Sequence, residues 1–147
     1  MVSLWETKQM PHYEIKRIIN APVSKIWPIL TDAKTLADGS FSIIKIEGEI
    51  AEGQTIKLWS EADPKRSFAI HVRDVIENKS MRWENGLPLG LFLGARKFVL
   101  TEVGGGTEFH MREDYTGPLA KLMYRVIPDL NPTFVKFADG LQAVAET

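Results

Sequence analysis

The sequence predicts an α+β domain built from one antiparallel sheet of about seven strands, one or two short helices after the first strand, and a long C-terminal helix. Three observations carry this reading. Residues 12–20 and much of 41–116 alternate apolar and polar side chains, the period of a strand with one buried face. No stretch between the later strands has the length or spacing of a crossover helix, so those strands pair antiparallel. From residue 118 onward the apolar spacing changes to three and four, the period of a helix.

Each element follows from its own stretch. Residues 1–11 have no clear period, end at Pro11 and read as a lead-in, with a single domain over 12–147. In HYEIKRIIN, Tyr13, Ile15 and Ile19 share one face, Arg17 lies on that same face, and Ile18 points outward. NAPVSKIWPILTDA opens a helix: Asn20 or Ala21 precedes Pro22, and Val23, Ile26, Trp27 and Leu30 follow at helical spacing. Pro28 shortens or bends it, and KTLADGS adds a further turn before Gly39. FSIIKIEGEI and QTIKLWSE flank a short AEG turn, and DPK at 63–65 reads as the next turn. RSFAIHVRDVIE places Phe68, Ile70 and Val72 on one face, and MRWEN does the same for Met81 and Trp83. GLPLGLFLG, studded with Gly and Pro, reads as a loop. ARKFVLTEV and TEFHMREDYTG are joined by GGG into a hairpin, with Phe98, Leu100, Phe109, Met111 and Tyr115 facing inward. The tail carries Leu119, Leu122, Met123, Val126, Leu130, Phe134, Phe137, Leu141 and Val144 at helical spacing, with a break near 128–132 at Pro128 and Pro132.

Composition narrows the function. The chain of 147 residues is 44% hydrophobic and 25% charged, enough for a real core. Net charge is −1 with no basic block, which argues against nucleic acid as a partner. There is no cysteine, so thiol catalysis and disulfides are excluded, and a cytoplasmic, reducing location is the expectation. Neither a signal peptide nor an apolar run of about 20 residues is present, so no integral membrane segment is expected. The NKS at 78–80 is then a chance sequon. His12, His71 and His110 lack metal-ligand spacing, and His71 and His110 point outward, so neither metal nor cofactor is expected. No phosphate-binding loop or nucleophile elbow occurs.

INAPVSKIWPILTD, GTEFHMREDYTGPLAKL and FVKFADGLQAVAE resemble the strand-to-helix entry, the last strand and the terminal helix of the SRPBCC superfamily. That group includes START domains, pollen allergens and polyketide cyclase/dehydrase-like proteins. The resemblance covers about residues 12–146. It implies a helix-grip fold, a curved sheet wrapped around the C-terminal helix, with first and last strands adjacent and a cavity for an apolar molecule between sheet and helix.

Within that frame one anomaly stands out. Glu113 falls on the apolar face of its strand, as Arg17 does on the first. If those strands are neighbours, the two charges could pair, because a lone buried carboxylate costs several kcal/mol or takes up a proton. The pair is either a satisfied internal salt bridge or the polar anchor of an apolar pocket. The candidate lining is Arg17, Trp83, Phe98, Phe109, Met111, Glu113, Tyr115, Met123, Phe134 and Phe137, each of which could equally be plain core. Leu87, Leu89, Leu91 and Phe92 could gate the opening, or plug it, or form a homodimer contact. The favoured function is binding of a hydrophobic or amphipathic small molecule (lipid, quinone, aromatic or polyketide-like). Two alternatives remain: a cyclase or dehydratase using Glu113 and Tyr115 for acid–base chemistry, and an interaction module like the chaperone activators of the superfamily. Relatives often carry His where Met111 stands, which removes the better base.

Overall fold

The computed structural model describes residues 11–147; of the lead-in, all but Pro11 lies outside the described residues. Seven strands follow one another in the chain: β1 (His12–Ile19), β2 (Ile43–Glu47), β3 (Thr55–Ser60), β4 (Asp63–Ile76), β5 (Ser80–Leu87), β6 (Phe92–Val103) and β7 (Gly106–Thr116). They form one antiparallel sheet in the order β1-β7-β6-β5-β4-β3-β2, so the first and last strands are neighbours. Helices α1 (Val23–Leu30) and α2 (Ala33–Leu36) sit between β1 and β2, and α3 (Ala120–Val126) and α4 (Asn131–Ala145) follow β7. This is an α+β helix-grip architecture, a curled sheet packed on its concave side by the C-terminal helix.

Local chemistry explains the elements. The β6–β7 turn has φ 51° at Gly104 and 91° at Gly105, the left-handed pair that a two-residue hairpin turn demands. The register of β4 slips between Arg73 and Ile76, with Asp74 at φ 54°, and such bulges bend a strand. Further shifts between Ile43 and Lys45 and between Trp59 and Ser60 fall on β2 and β3, at the same side of the sheet. In α1, Pro22 is the N-cap and Val23 the first helical residue, one position later than the sequence reading of Pro22 in the first helical turn, and Pro28 lies inside the helix. The tail breaks as its prolines require: α3 ends at Val126 and α4 restarts at Asn131.

Two readings of the loops change. GLPLGLFLG is not a long loop: β5 runs through Leu87, β6 begins at Phe92, and only a one-turn 3-10 helix at Pro88–Gly90 lies between. Sheet pairing of Gly86 with Leu93 and Leu87 with Phe92 outweighs the local preference of the glycines for irregular backbone. The turn assigned to DPK falls earlier, at 61–62, so that Asp63 already opens β4.

Phe137 of α4 anchors the core. Its ring lies 5.3 Å from Phe41, 5.8 Å from Phe98 and 6.0 Å from Phe109, three elements converging on one side chain. Gly140 lets α4 press onto the loop before β2, since a Cβ there would stand 2.3 Å from the Ser40 carbonyl oxygen.

Candidate functional site

The sheet places its inward side chains in rungs. Tyr13 of β1 is paired with Glu113 of β7, Glu113 with Arg96 of β6, and Arg96 with Trp83 of β5. Four neighbouring strands thus aim a tyrosine, a carboxylate, a guanidinium and an indole at the concave side. One rung further along lie Asn85, Gly94 and Tyr115.

A cavity of about 430 Å³ opens here, between the sheet and the segment joining α3 to α4. Leu58, Phe68, Ile70, Phe92, Met123 and Ile127 supply apolar wall, and Trp83, Asn85, Arg96, Glu113 and Tyr115 supply the polar groups at its sheet side. Asp63 and Arg66 at the start of β4 lie along it as well.

Glu113 does turn inward, but its partner is not Arg17. Nε of Arg96 donates to Oε1 of Glu113 at 2.9 Å, and the Tyr115 hydroxyl donates to Oε2. Arg17 is opposite Phe109, four residues from Glu113 along β7, or roughly 13 Å at a strand's rise per residue. Its Nη1 instead reaches Asp139 Oδ1 and Gln142 Oε1 of α4, both at 2.8 Å. The pairing expected between the terminal strands fails because adjacency fixes which strands meet and says nothing of register.

The Arg96–Glu113 pair is largely withdrawn from water, with side chains 19% and 15% exposed. The guanidinium also lies 4.7 Å over the Phe134 ring. Glu113 occupies only Nε; among the described residues neither Nη1 nor Nη2 of Arg96 takes part in a hydrogen bond. Tyr115 is buried, stacked on Phe92 at 5.6 Å and edge-on to Tyr13 at 6.1 Å. Burial first, then the adjacent Glu113 charge, pushes its phenol far above the ordinary tyrosine value. It is therefore a hydrogen-bond donor and not a proton shuttle at neutral pH. The indole N–H of Trp83 is buried without a hydrogen-bond partner among the described residues, and the Asn85 amide makes no hydrogen bond there either.

Of the residues singled out from sequence, Trp83, Glu113, Tyr115 and Met123 line the cavity, with Leu87 and Phe92. Phe98, Phe109, Met111, Phe134 and Phe137 are fully packed core and do not line it, and Arg17 lies away from it. Leu89 and Leu91 do not line it either; Leu89 is 95% exposed at φ 61°. Arg96 and Asn85 were missed. The signal was the same alternation that exposed Glu113: Phe98 and Leu100 inward put Arg96 on their face, and Met81 and Trp83 put Asn85 on theirs. Among the described residues no group of three or more His, Asp or Glu is placed to hold a metal ion, and no helix is long and apolar enough to cross a membrane.

Comparison with solved structures gives the same architecture. Protein MLL2253 of Mesorhizobium loti superposes with a TM-score of 0.72 at 18% identity, over 92% of this chain and 97% of its own. The Aha1 dimer of Colwellia psychrerythraea gives a TM-score of 0.70 at 20% identity, over 93% and 97%. DynU16, a protein of the dynemicin biosynthetic locus, gives 0.66 at 16% identity, over 92% of this chain but 47% of its own. At these identities the likeness establishes the fold alone. No family model matches the sequence, and no curated protein does.

Proposed function

We propose that this protein is an SRPBCC-type binder that holds a hydrophobic or amphipathic small molecule between the sheet and its C-terminal helices. One observation carries the reading: an open cavity of about 430 Å³ whose partly apolar wall holds the mostly desolvated Arg96–Glu113 ion pair, with Asp63, Arg66 and Glu84 also along it. That volume is within the usual range for small-molecule pockets, which are apolar with a few placed polar groups. An ion pair kept in such a wall gains little stability over an apolar replacement, so recognition is the better account of it.

Catalysis of the cyclase type is favoured by one contact, the hydrogen bond that brings Tyr115 to Glu113. Against it, both oxygens of Glu113 already accept a donor, and the raised phenol pKa keeps the Tyr115 proton in place. An interaction module would have a filled interior, and the cavity weighs against that reading. Native mass spectrometry of freshly purified protein, with diphenylhexatriene fluorescence on delipidated protein, tests the proposal. A co-purifying apolar mass or saturable fluorophore uptake supports it; neither being found refutes it.

A further inference from the structure

The polar side of the cavity is unbalanced in a way that specifies its ligand. Counting groups not yet used, Arg96 offers the N–H bonds of Nη1 and Nη2, Trp83 its buried indole N–H, and Asn85 an amide. Across this wall Arg96 is the cross-strand partner of Trp83, and Asn85 is on the next rung of β5, two residues along from Trp83 and on the same face. On these two rungs the acceptors are mostly taken: Oε1 and Oε2 of Glu113 each already receive a hydrogen bond, which leaves the Asn85 Oδ1, with the Asp63 carboxylate further along the cavity. The wall therefore has donors in surplus. Of these, only the Trp83 N–H is both buried and unpaired, which costs about 1–3 kcal/mol that an acceptor on the ligand would recover.

Charge decides which acceptor. Arg96 and Glu113 together are neutral, and both are largely desolvated. A ligand carboxylate entering here would leave one net negative charge beside Glu113 in a low-dielectric site, which is costly. A hydroxyl could accept from Arg96, but it must also place its own proton: both Glu113 oxygens are taken, which leaves only the Asn85 Oδ1, one rung away from Arg96. A carbonyl oxygen accepts two hydrogen bonds, brings no proton and adds no charge.

We infer that the bound molecule presents an uncharged carbonyl oxygen, as a ketone, quinone or ester, to the free end of Arg96, with an apolar body filling the rest of the cavity. This rests on the binding function proposed above and narrows its ligand class.

Four naphthalenes of matched shape test it by titration calorimetry at neutral pH: acetylnaphthalene, naphthylethanol, naphthoate and ethylnaphthalene. The ketone should bind about tenfold or more tighter than the hydrocarbon, as expected for a hydrogen bond to a charged donor, and tighter than the alcohol and the carboxylate. In the double variant Arg96→Met, Glu113→Gln the preference for ketone over hydrocarbon should fall to about twofold or less, while diphenylhexatriene still binds. Infrared spectroscopy of carbonyl-labelled acetylnaphthalene on the unmodified protein gives a readout that needs no variant: the carbonyl stretch should fall below its value in hydrocarbon solvent. Naphthoate binding tightest, the alcohol matching the ketone, a preference that survives the double variant, or an unshifted stretch each overturns the inference. If the naphthalenes bind alike and diphenylhexatriene binds, only the carbonyl inference fails. If nothing binds, diphenylhexatriene included, the binding function fails with it.

Discussion

Replacing Glu113 by Gln tests whether the inner ion pair is the desolvated polar centre that its burial implies. The carboxylate accepts from Arg96 at 2.9 Å and from the Tyr115 hydroxyl, so both its oxygens are engaged. Gln keeps the shape but turns one acceptor into a donor, which then opposes either Arg96 or Tyr115. It also leaves the Arg96 cation without its counter-charge at a side chain only 19% exposed. Breaking a fully buried pair from one side costs about 3–5 kcal/mol, and partial solvation of Arg96 trims this to about 2–4. For a chain of this size that lowers Tm by roughly 10 °C. Arg96→Met should cost a similar amount, since it orphans Glu113 and removes the cation from above Phe134, 4.7 Å away. The double variant removes both charges and should be closer to the parent than the two single losses summed, by about 1.5 kcal/mol or more. Urea unfolding followed by circular dichroism, on all four proteins, gives the cycle. Additive losses, or single losses below about 0.5 kcal/mol, would show a solvated pair and defeat the reasoning.

Three further outcomes follow from individual positions. Gly94→Ala puts a Cβ 3.1 Å from Asn85 Oδ1 and 3.3 Å from Tyr115 Cε1, so both side chains must give by a few tenths of an ångström, and diphenylhexatriene uptake should weaken modestly while the fold persists; tighter uptake refutes the placement of Asn85 and Tyr115. Gly140→Ala gains about 1 kcal/mol of helix propensity, yet its Cβ would lie 2.3 Å from the Ser40 carbonyl oxygen, so a net loss of Tm is expected, and a rise would mean that α4 does not press on that loop. The hydrogen bond from His110, on the outer face, holds the Glu14 carboxyl below the usual carboxylate range. Its stabilisation is present above the unfolded pKa and is lost as pH falls through the lowered folded value, so Glu14→Gln should flatten the acid side of a Tm-against-pH curve and leave its neutral side nearly level.

The sequence made the order of elements legible because each rests on local rules: period two in the strands, a Gly-Gly turn, prolines at 128 and 132 that break the tail. It also made the inward charge at Glu113 visible. What it did not supply was register. Arg17 and Glu113 sit on the same face of adjacent strands, but a four-residue offset between them is invisible to alternation, which repeats every two. Arg96 shares the inward face of Phe98 and Leu100 by the same alternation, but the apolar residues of β6 do not by themselves single it out. The lining aromatics were ambiguous for a different reason: Phe98 and Phe109 share the face of Trp83 and Tyr115, and only the position of α4 decides which of them end in solid core.

That division of the concave face is what leaves a cavity beside a solid core. One half of the sheet is sealed by α4, where Phe137 meets Phe98 and Phe109, and where Arg17 finds Asp139 and Gln142 on the helix itself. The other half faces the end of α3 and the prolyl segment after it, and Ile127, Pro128, Leu130 and Thr133 form the cavity wall there. Had the tail run as one unbroken helix, the same knobs-into-grooves packing would extend across the Arg96 rung. Pro128 cannot continue the helix of α3, and Pro132 near the start of α4 fixes where it resumes. The interruption replaces a packed helical surface with an irregular segment over the part of the sheet that carries Arg96 and Glu113. The three inward charges therefore have different fates: Arg17 under α4 is satisfied by the helix, and the Arg96–Glu113 pair beyond its start is left with donors to spare.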